Sequence, residues 1–266
     1  MDWSEFLRVA VWNLLLILGL MIGIWALSLR LRDASIADIF WGLGFIASAW
    51  FTAAVSTGSS SRRALVLTLV TVWGVRLSAF LLKRNWGHED PRYVEMRRSV
   101  ESKGGNFATH SLKSVYLAQG VFLWLISLVL AFSISLDEPL DLGLAAFAGA
   151  LLWSVGMFFE VVGDAQLARF KADPAHRGKI MDRGLWRYTR HPNYFGEACV
   201  WFGFWLIACD SVHGLVMVFS PGVLLYALLN ITGKALTERR MRESRPDFEA
   251  YARRTSGFVP LPPRNL

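Results

Sequence analysis

Seven stretches of the 266-residue chain are almost purely apolar, with short polar segments between them. They run over 8–29, 36–56, 64–82, 114–135, 143–163, 195–210 and 212–232. Crossing the hydrocarbon core of a bilayer takes about 20 residues of helix, so each run is a candidate span, the sixth being short. Backbone groups in lipid must be satisfied within the segment, which leaves the α-helix as the form for runs of this length. The pattern predicts an all-α integral membrane protein, a bundle of about seven transmembrane helices forming one domain over 1–266. Only Asp2, Glu5 and Arg8 precede the first run and no small-residue cleavage site follows it, so it reads as a retained helix.

The charges between the runs set an expected orientation. Arg30 and Arg32, then Lys83, Arg84, Arg92, Arg97, Arg98 and Lys103, then the 164–194 segment and the tail from Lys234 fall on one side of a seven-span bundle. The other side receives Asp137, Glu138, Asp141 and the 210–213 turn, with Arg62 and Arg63 as exceptions. Lys and Arg accumulate in cytoplasmic loops, which places the N-terminus outside and the C-terminus in the cytoplasm. The formal charge of +7 has this topological cause in a chain that is 54% apolar, and no nucleic-acid partner is expected. Cys199 and Cys209 share one apolar run and read as core residues. The tail over 234–254 reads as a charged helix broken at Pro246, followed by an extended Phe258–Pro263 segment able to pack back on the bundle.

Candidate chemistry concentrates between Asp164 and Glu197. Gln166, Arg169, Lys171, His176, Arg177, Lys179, Asp182 and Arg183 lead into Gly-Leu-Trp-Arg-Tyr-Thr-Arg-His-Pro-Asn-Tyr-Phe-Gly-Glu over 184–197. Polar groups at membrane depth are costly unless they are used. Guanidinium groups such as Arg187 and Arg190 match phosphate oxygens, Asn193 can pair with a carboxamide or an adenine edge, and Glu197 can accept from ribose hydroxyls. Pro192 and Gly196 shape the turn that also carries His191 and Tyr194. An ordinary basic loop with interfacial aromatics is an equally open reading. Neither a Gly-x-Gly-x-x-Gly turn after a strand nor a Walker sequence is present, so any nucleotide site here is not of the Rossmann type. The cluster His88-Glu89-Asp90 with Arg92-Tyr93 reads as a lid or as a solvated loop, and with no second histidine at i+4 no metal is expected.

The 184–197 segment, preceded by Asp164 and Lys171, resembles the C-terminal half of the steroid 5-alpha-reductase family. Asp38-Ile-Phe-Trp-Gly42 and Arg253-Arg-Thr-Ser-Gly-Phe-Val-Pro260 resemble signatures of its bacterial members, carried as a domain of unknown function. The likeness is weaker over 1–160 and stronger over 161–266, and the Arg-His-Pro-Asn-Tyr turn is shared with sterol reductases and isoprenylcysteine carboxyl methyltransferases. It implies a seven-helix bundle in a bacterial inner membrane, holding NADPH in a cytoplasm-facing cavity while an apolar acceptor enters from the lipid. By position, Asp164, Lys171, Asn193 and Glu197 match the family's cofactor contacts. Arg76 and Arg84 on the third run, Lys234 and Glu238 on the tail helix, and Gln119 on the fourth run stand at further family positions. The glutamine–glutamate pair and the tyrosine with which the steroid enzymes grip their ketone are matched only by Ala37-Asp38 and Trp73, and tryptophan has no phenolic proton to donate.

The expected activity is NADPH-dependent transfer of hydride to a double bond or carbonyl of a lipid-like, steroid- or enoyl-type molecule. Arg76, Arg84, Lys171, Arg187 and Arg190 would neutralise phosphates, Asn193, Tyr194 and Glu197 would fix the nicotinamide end, and Asp38 with Gln119 would face the acceptor. Two roles are open for Asp38: a carboxylic acid that holds its proton in apolar surroundings, or an ion pair with Arg76 joining two helices. An S-adenosylmethionine-dependent methyltransferase and a non-enzymatic lipid-binding protein are the competing classes. Cationic side chains argue against the first, because S-adenosylmethionine carries no phosphate.

Overall fold

The computed structural model describes residues 3–231 and 233–264. The chain runs through α1 (Trp3–Leu31), α2 (Ile36–Val55), α3 (Ser60–Arg84), the short α4 (Pro91–Glu101) and α5 (Phe107–Ser135). It continues through α6 (Leu144–Ala172), α7 (Pro192–Ala208), α8 (Phe219–Tyr226), α9 (Lys234–Ser244) and α10 (Phe248–Arg254). Among the described residues, six helical stretches are long and apolar enough to cross a membrane: α1, α2, α3, α5, α6 and Val212–Ser244. The protein is a helical membrane protein. The run expected at 195–210 is α7, whose 17 residues span only about 26 Å at the α-helical rise. Helices α1, α3, α5 and α6 overshoot their apolar runs, because helical hydrogen bonding continues through polar ends such as Ser60–Arg63 and Asp164–Lys171. The tail breaks where Pro246 predicts, between α9 and α10.

The chain divides into two compact units. The first, Met1–Gly143 with Asp210–Met217, has α5 at its centre, packed on α1, α2 and α3 and burying Leu123, Ile126, Val129, Leu130 and Phe132. Asn13 of α1 donates to Thr52 Oγ1 and accepts from Ser48 Oγ, both at 2.8 Å, so α1 and α2 share a buried polar clasp. Gly42 and Gly74 bring the α2 and α3 backbones together, and a Cβ on Gly42 would lie 2.4 Å from the Gly74 carbonyl oxygen. Arg62, the apparent exception to the charge pattern, is fully buried. It donates to the Leu136 and Pro139 carbonyls and lies 3.8 Å from Asp210, whose Oδ2 accepts from Gly143 N at 2.9 Å. This arginine closes the unit; it is not a loop charge.

The second unit, Leu144–Cys209 with Val218–Leu266, is built on the seam between α6 and α7. Glycines recur every seventh residue on both helices, at 149, 156 and 163 and at 196 and 203. Gly149 meets Gly203 and Gly156 meets Gly196, with a Cβ on either partner falling 2.5–2.7 Å from the other's carbonyl oxygen. Small residues let helix backbones touch in lipid, where dispersion contacts replace the hydrophobic drive. At the end of the seam Gly163 abuts Pro192 and Asn193 N, which seats the 191–194 turn directly on α6.

Candidate functional site

In the first unit the chemistry gathers around Asp38, in the first turn of α2. Arg92 reaches Asp38 Oδ2 at 2.6 Å and the Tyr93 hydroxyl donates to Oδ1 at 2.7 Å. Gln119 Nε2 donates to the Tyr93 oxygen at 3.1 Å, whereas Gln119 Oε1 is buried without a hydrogen-bond partner. Gln119 follows a π-helical turn, Leu112–Leu117, inside α5, a feature that recurs at functional sites because it re-aims side chains. Asp90 caps α4 by accepting from Arg92 N at 2.9 Å, and also takes Arg92 Nε at 3.0 Å with Arg84 3.8 Å away. Burial opposes ionisation of Asp90, but the Arg92 hydrogen bonds and the Arg84 charge leave its carboxyl below the ordinary range. Glu89 accepts from Ala34 N at 2.7 Å and pairs with Arg97 at 2.8 Å. Glu89, Asp90, Arg92 and Tyr93 are thus tied into the fold by side-chain hydrogen bonds, while His88 is exposed. Burial, reinforced by the Asp38 charge, raises the Tyr93 phenol above its usual range, so it stays a neutral donor.

The ion pair that Asp38 makes is with Arg92, where the sequence offers Arg76. Arg76 lays its guanidinium over the Phe80 ring at 5.4 Å. Trp73 is fully buried against Phe45, a core position. Sequence reasoning placed Tyr93 in the neighbouring polar cluster but gave it no partner. A contact spanning 55 residues between a helix start and a loop-borne helix leaves no periodic signal.

The second unit holds the other cluster. Asp164 is buried on α6 and its Oδ1 accepts from Asn193 Nδ2 at 3.2 Å. His191 is buried beside it, stacked on Tyr194 with ring planes 7° apart, and its Nε2 lies 3.1 Å from Glu238 Oε1. Burial outweighs the Glu238 contact and lowers the His191 pKa, so the imidazole is neutral and its Nε2–H donates to the carboxylate. Arg190 also grips Glu238 at 2.9 Å and spends its remaining donors on the Thr255 and Ala252 carbonyls at 2.6 and 3.0 Å. The 189–256 bridge, Thr189 Oγ1 to Phe258 O at 2.7 Å and Leu261 N to Tyr188 O at 3.0 Å lay the tail along this turn. The extended segment packs back as its composition predicts. Trp186 Nε1 to Gly163 O at 3.0 Å and the Tyr251 hydroxyl to Trp186 O at 2.6 Å fix the loop between α6 and α10.

Among the expected cofactor contacts, Asp164, His191, Asn193, Tyr194, Arg190 and Glu238 thus come together through shared hydrogen bonds and stacking. Glu197 and Lys234 are half-buried, Lys171 and Arg187 are exposed in this unit, and Arg84 is exposed in the first. No group of three or more His, Cys, Asp or Glu suited to a metal occurs among the described residues.

These features define a helical membrane protein with two clusters of polar side chains, one around Asp38 and one around Asp164 and Glu238. The chain belongs to the family described as "Protein of unknown function (DUF1295)", matched over residues 24–255, a family related to steroid 5-alpha-reductases. It is 22% identical over 253 residues to "Uncharacterized protein C594.04c" of Schizosaccharomyces pombe, covering 85% of this chain and 68% of that one. It is 35% identical over 92 residues to "Steroid 5-alpha-reductase DET2" of Gossypium hirsutum, covering 35% of this chain and 33% of the reductase. No solved structure matches the chain.

Proposed function

We propose that the protein is a membrane reductase that uses NADPH to reduce a polarised double bond or carbonyl of an apolar, steroid- or enoyl-type lipid. The family relation supports the class, and one observation carries the reading: the hydrogen bond between the buried Asp164 and the half-buried Asn193, seated by Gly163 in the turn that also carries a neutral histidine. A carboxylate and an amide held side by side suit the ribose hydroxyls and carboxamide of a nicotinamide nucleotide, and cations of the same unit suit its phosphates. The donor set fits that cofactor. Asp164, Asn193, Tyr194 and Glu197 would hold its nicotinamide half and Lys171 its phosphates, with Lys234 of the same unit adding compensating charge. Bound NADPH supplies the hydride; the chain's residues bind, orient and exclude water.

Arg190, His191 and Glu238 act in this proposal by positioning, since their mutual bonds lock the turn that presents Asn193. The acid role is assigned to Tyr93: its hydroxyl proton, donated at rest to Asp38 Oδ1, passes to the acceptor, and the phenolate left behind accepts from Gln119 Nε2 and takes its proton back from solvent. This restores, from a different helix, the phenolic proton that Trp73 lacks. The spare acceptor at Gln119 Oε1 has capacity left for a hydroxyl or amide hydrogen of the lipid. The chain sits in a bacterial inner membrane with its basic connections and C-terminus in the cytoplasm.

Titrating detergent-purified protein with NADPH, followed by nucleotide fluorescence, tests the cofactor. Asn193→Ala and Lys171→Ala each weaken binding by about tenfold or more, the scale of one charge-assisted contact. Tyr93→Phe keeps NADPH affinity and lowers turnover by about a hundredfold. Binding of S-adenosylmethionine without NADPH moves the protein to the methyltransferase class and ends this reading.

A further inference from the structure

Away from the Asp164–Asn193 pair, the second unit carries a basin of about 800 Å³ lined by Arg183, Arg187, Arg253, Arg254, Arg264 and Asp182. Three pieces of chain wall it: the 182–187 loop, one face of α10, and the end of the tail. Its walls are pinned. Arg254 pairs with Asp182, Arg264 N donates to Arg254 O at 2.9 Å, and the tail is already bonded to Tyr188 through Leu261. Gly184 holds a left-handed φ of 58° at the loop's bend, where a Cβ would strike the Gln166 amide at 2.5 Å, and Leu185 N is fixed by Gln166 Oε1 at 3.0 Å.

The basin's charge is unbalanced. Five arginines and one aspartate line it, a formal net +4, and the Asp182 carboxylate is engaged by Arg254. Arg183, Arg187, Arg253 and Arg264 make no ion pair among the described residues. An ordinary solvated basic surface intersperses acidic groups or splays its cations along a helix; here arginines from three separate pieces of chain line one hollow. Guanidinium forks match phosphate oxygens in pairs, and the excess charge favours a doubly charged phosphate group over a singly charged carboxylate or phosphodiester. The volume lies within the range that accommodates a small molecule.

We propose that this arginine basin is a binding site for a phosphate monoester or diphosphate group, separate from the Asp164–Asn193 cluster. None of Asp164, Lys171, His191, Asn193, Glu197 or Glu238 lines it. Arg187, placed by the sequence among phosphate ligands, keeps that chemistry here. The group can belong to a soluble ester or to the headgroup of a monoester lipid such as phosphatidic acid. The inference stands independently of the reductase reading.

The test uses the full chain in a phosphatidylcholine nanodisc, titrated calorimetrically with inorganic pyrophosphate at low ionic strength. Wild type binds, binding weakens as salt rises, and Arg253→Gln with Arg264→Gln weakens it by about tenfold or more. The same double change to Lys retains most of the affinity, and an unchanged thermal midpoint in both variants shows that the fold is intact. Adding phosphatidic acid to the disc assigns the source. Competition with pyrophosphate makes the lipid headgroup the occupant, and unchanged affinity makes it a soluble ester. Absence of pyrophosphate binding, or equal binding by the Gln variant, overturns the site. Loss of NADPH binding in the Gln variant, with one-for-one competition between NADPH and pyrophosphate, makes the basin part of the cofactor site and overturns its separateness. Failure of NADPH to bind while pyrophosphate does removes the reductase reading and leaves the basin standing.

Discussion

Gly156→Ala tests the seam on which the second unit depends. The added methyl would lie 2.5 Å from Gly196 O, 2.6 Å from Val200 N and 2.9 Å from Val200 Cγ2, where ordinary contact begins near 3.4 Å. Two of those three atoms are backbone, so no rotamer change relieves the clash, and α6 and α7 must separate by about 0.9 Å. Overpacking of this kind costs about 1–3 kcal/mol, and the gain in helix propensity from glycine to alanine returns about 1 kcal/mol. The net expectation is a loss of about 0–2 kcal/mol against wild type, and of about 1–3 kcal/mol against a glycine-to-alanine change elsewhere in a helix, which gains the same propensity without the clash. The same separation carries the Asp164–Asn193 contact from 3.2 Å to about 4 Å, beyond hydrogen-bonding range. The nucleotide affinity proposed for that pair should then fall by about tenfold. Gly222→Ala is the matched control, since a Cβ there meets nothing within 4 Å. Intrinsic-tryptophan thermal unfolding in one detergent, paired with NADPH titration, reads both effects. If Gly156→Ala unfolds at or above the midpoint of Gly222→Ala, the seam is not close-packed and the argument from glycine spacing fails.

Asp210→Asn leaves the fully buried Arg62 without its counter-charge, and removal of one partner from such a pair costs about 3–5 kcal/mol. Arg62→Met with Asp210→Asn should unfold at a higher temperature than the single variant, and the reverse order would refute a buried pair. His191 gives a pH signature: its folded pKa lies below the ordinary value, so the unfolded chain binds the extra proton first. Its contribution is therefore full at neutral pH and is lost as pH falls below the unfolded histidine value towards the lowered folded one. Thermal midpoints from neutral to mildly acidic pH should fall more steeply for wild type than for His191→Gln; parallel curves would show that His191 titrates as if exposed.

How much of this was legible in the sequence depends on the range of the interactions involved. Bilayer-length apolar runs report a one-dimensional requirement, which is why α1, α2, α3, α5 and α6 appear at their expected places and Pro246 marks the break between α9 and α10. Local turn chemistry was readable too, and the 191–194 turn does gather Asp164, Asn193 and Tyr194. The heptad glycines at 149, 156, 163, 196 and 203 were present in the letters, but their meaning needs the pairing of two helices that composition does not specify.

Partner choice among charged groups was the least legible, because several arginines could satisfy each carboxylate. Arg190, expected at a phosphate, closes the turn through Glu238 and the tail, and Asp38 is held by Arg92 and Tyr93 from a segment 55 residues away. The consequence reaches function. An arginine whose donors are already spent within the fold contributes shape, whereas the arginines of the 182–187 loop and the tail that make no ion pair retain charge for a ligand. Counting basic residues in a loop cannot separate these two uses; accounting for where each guanidinium's donors go can. By that accounting the second unit separates an amide–carboxylate pair, Asn193 with Asp164, from an arginine-lined basin, and the two proposals made for them can be tested one at a time.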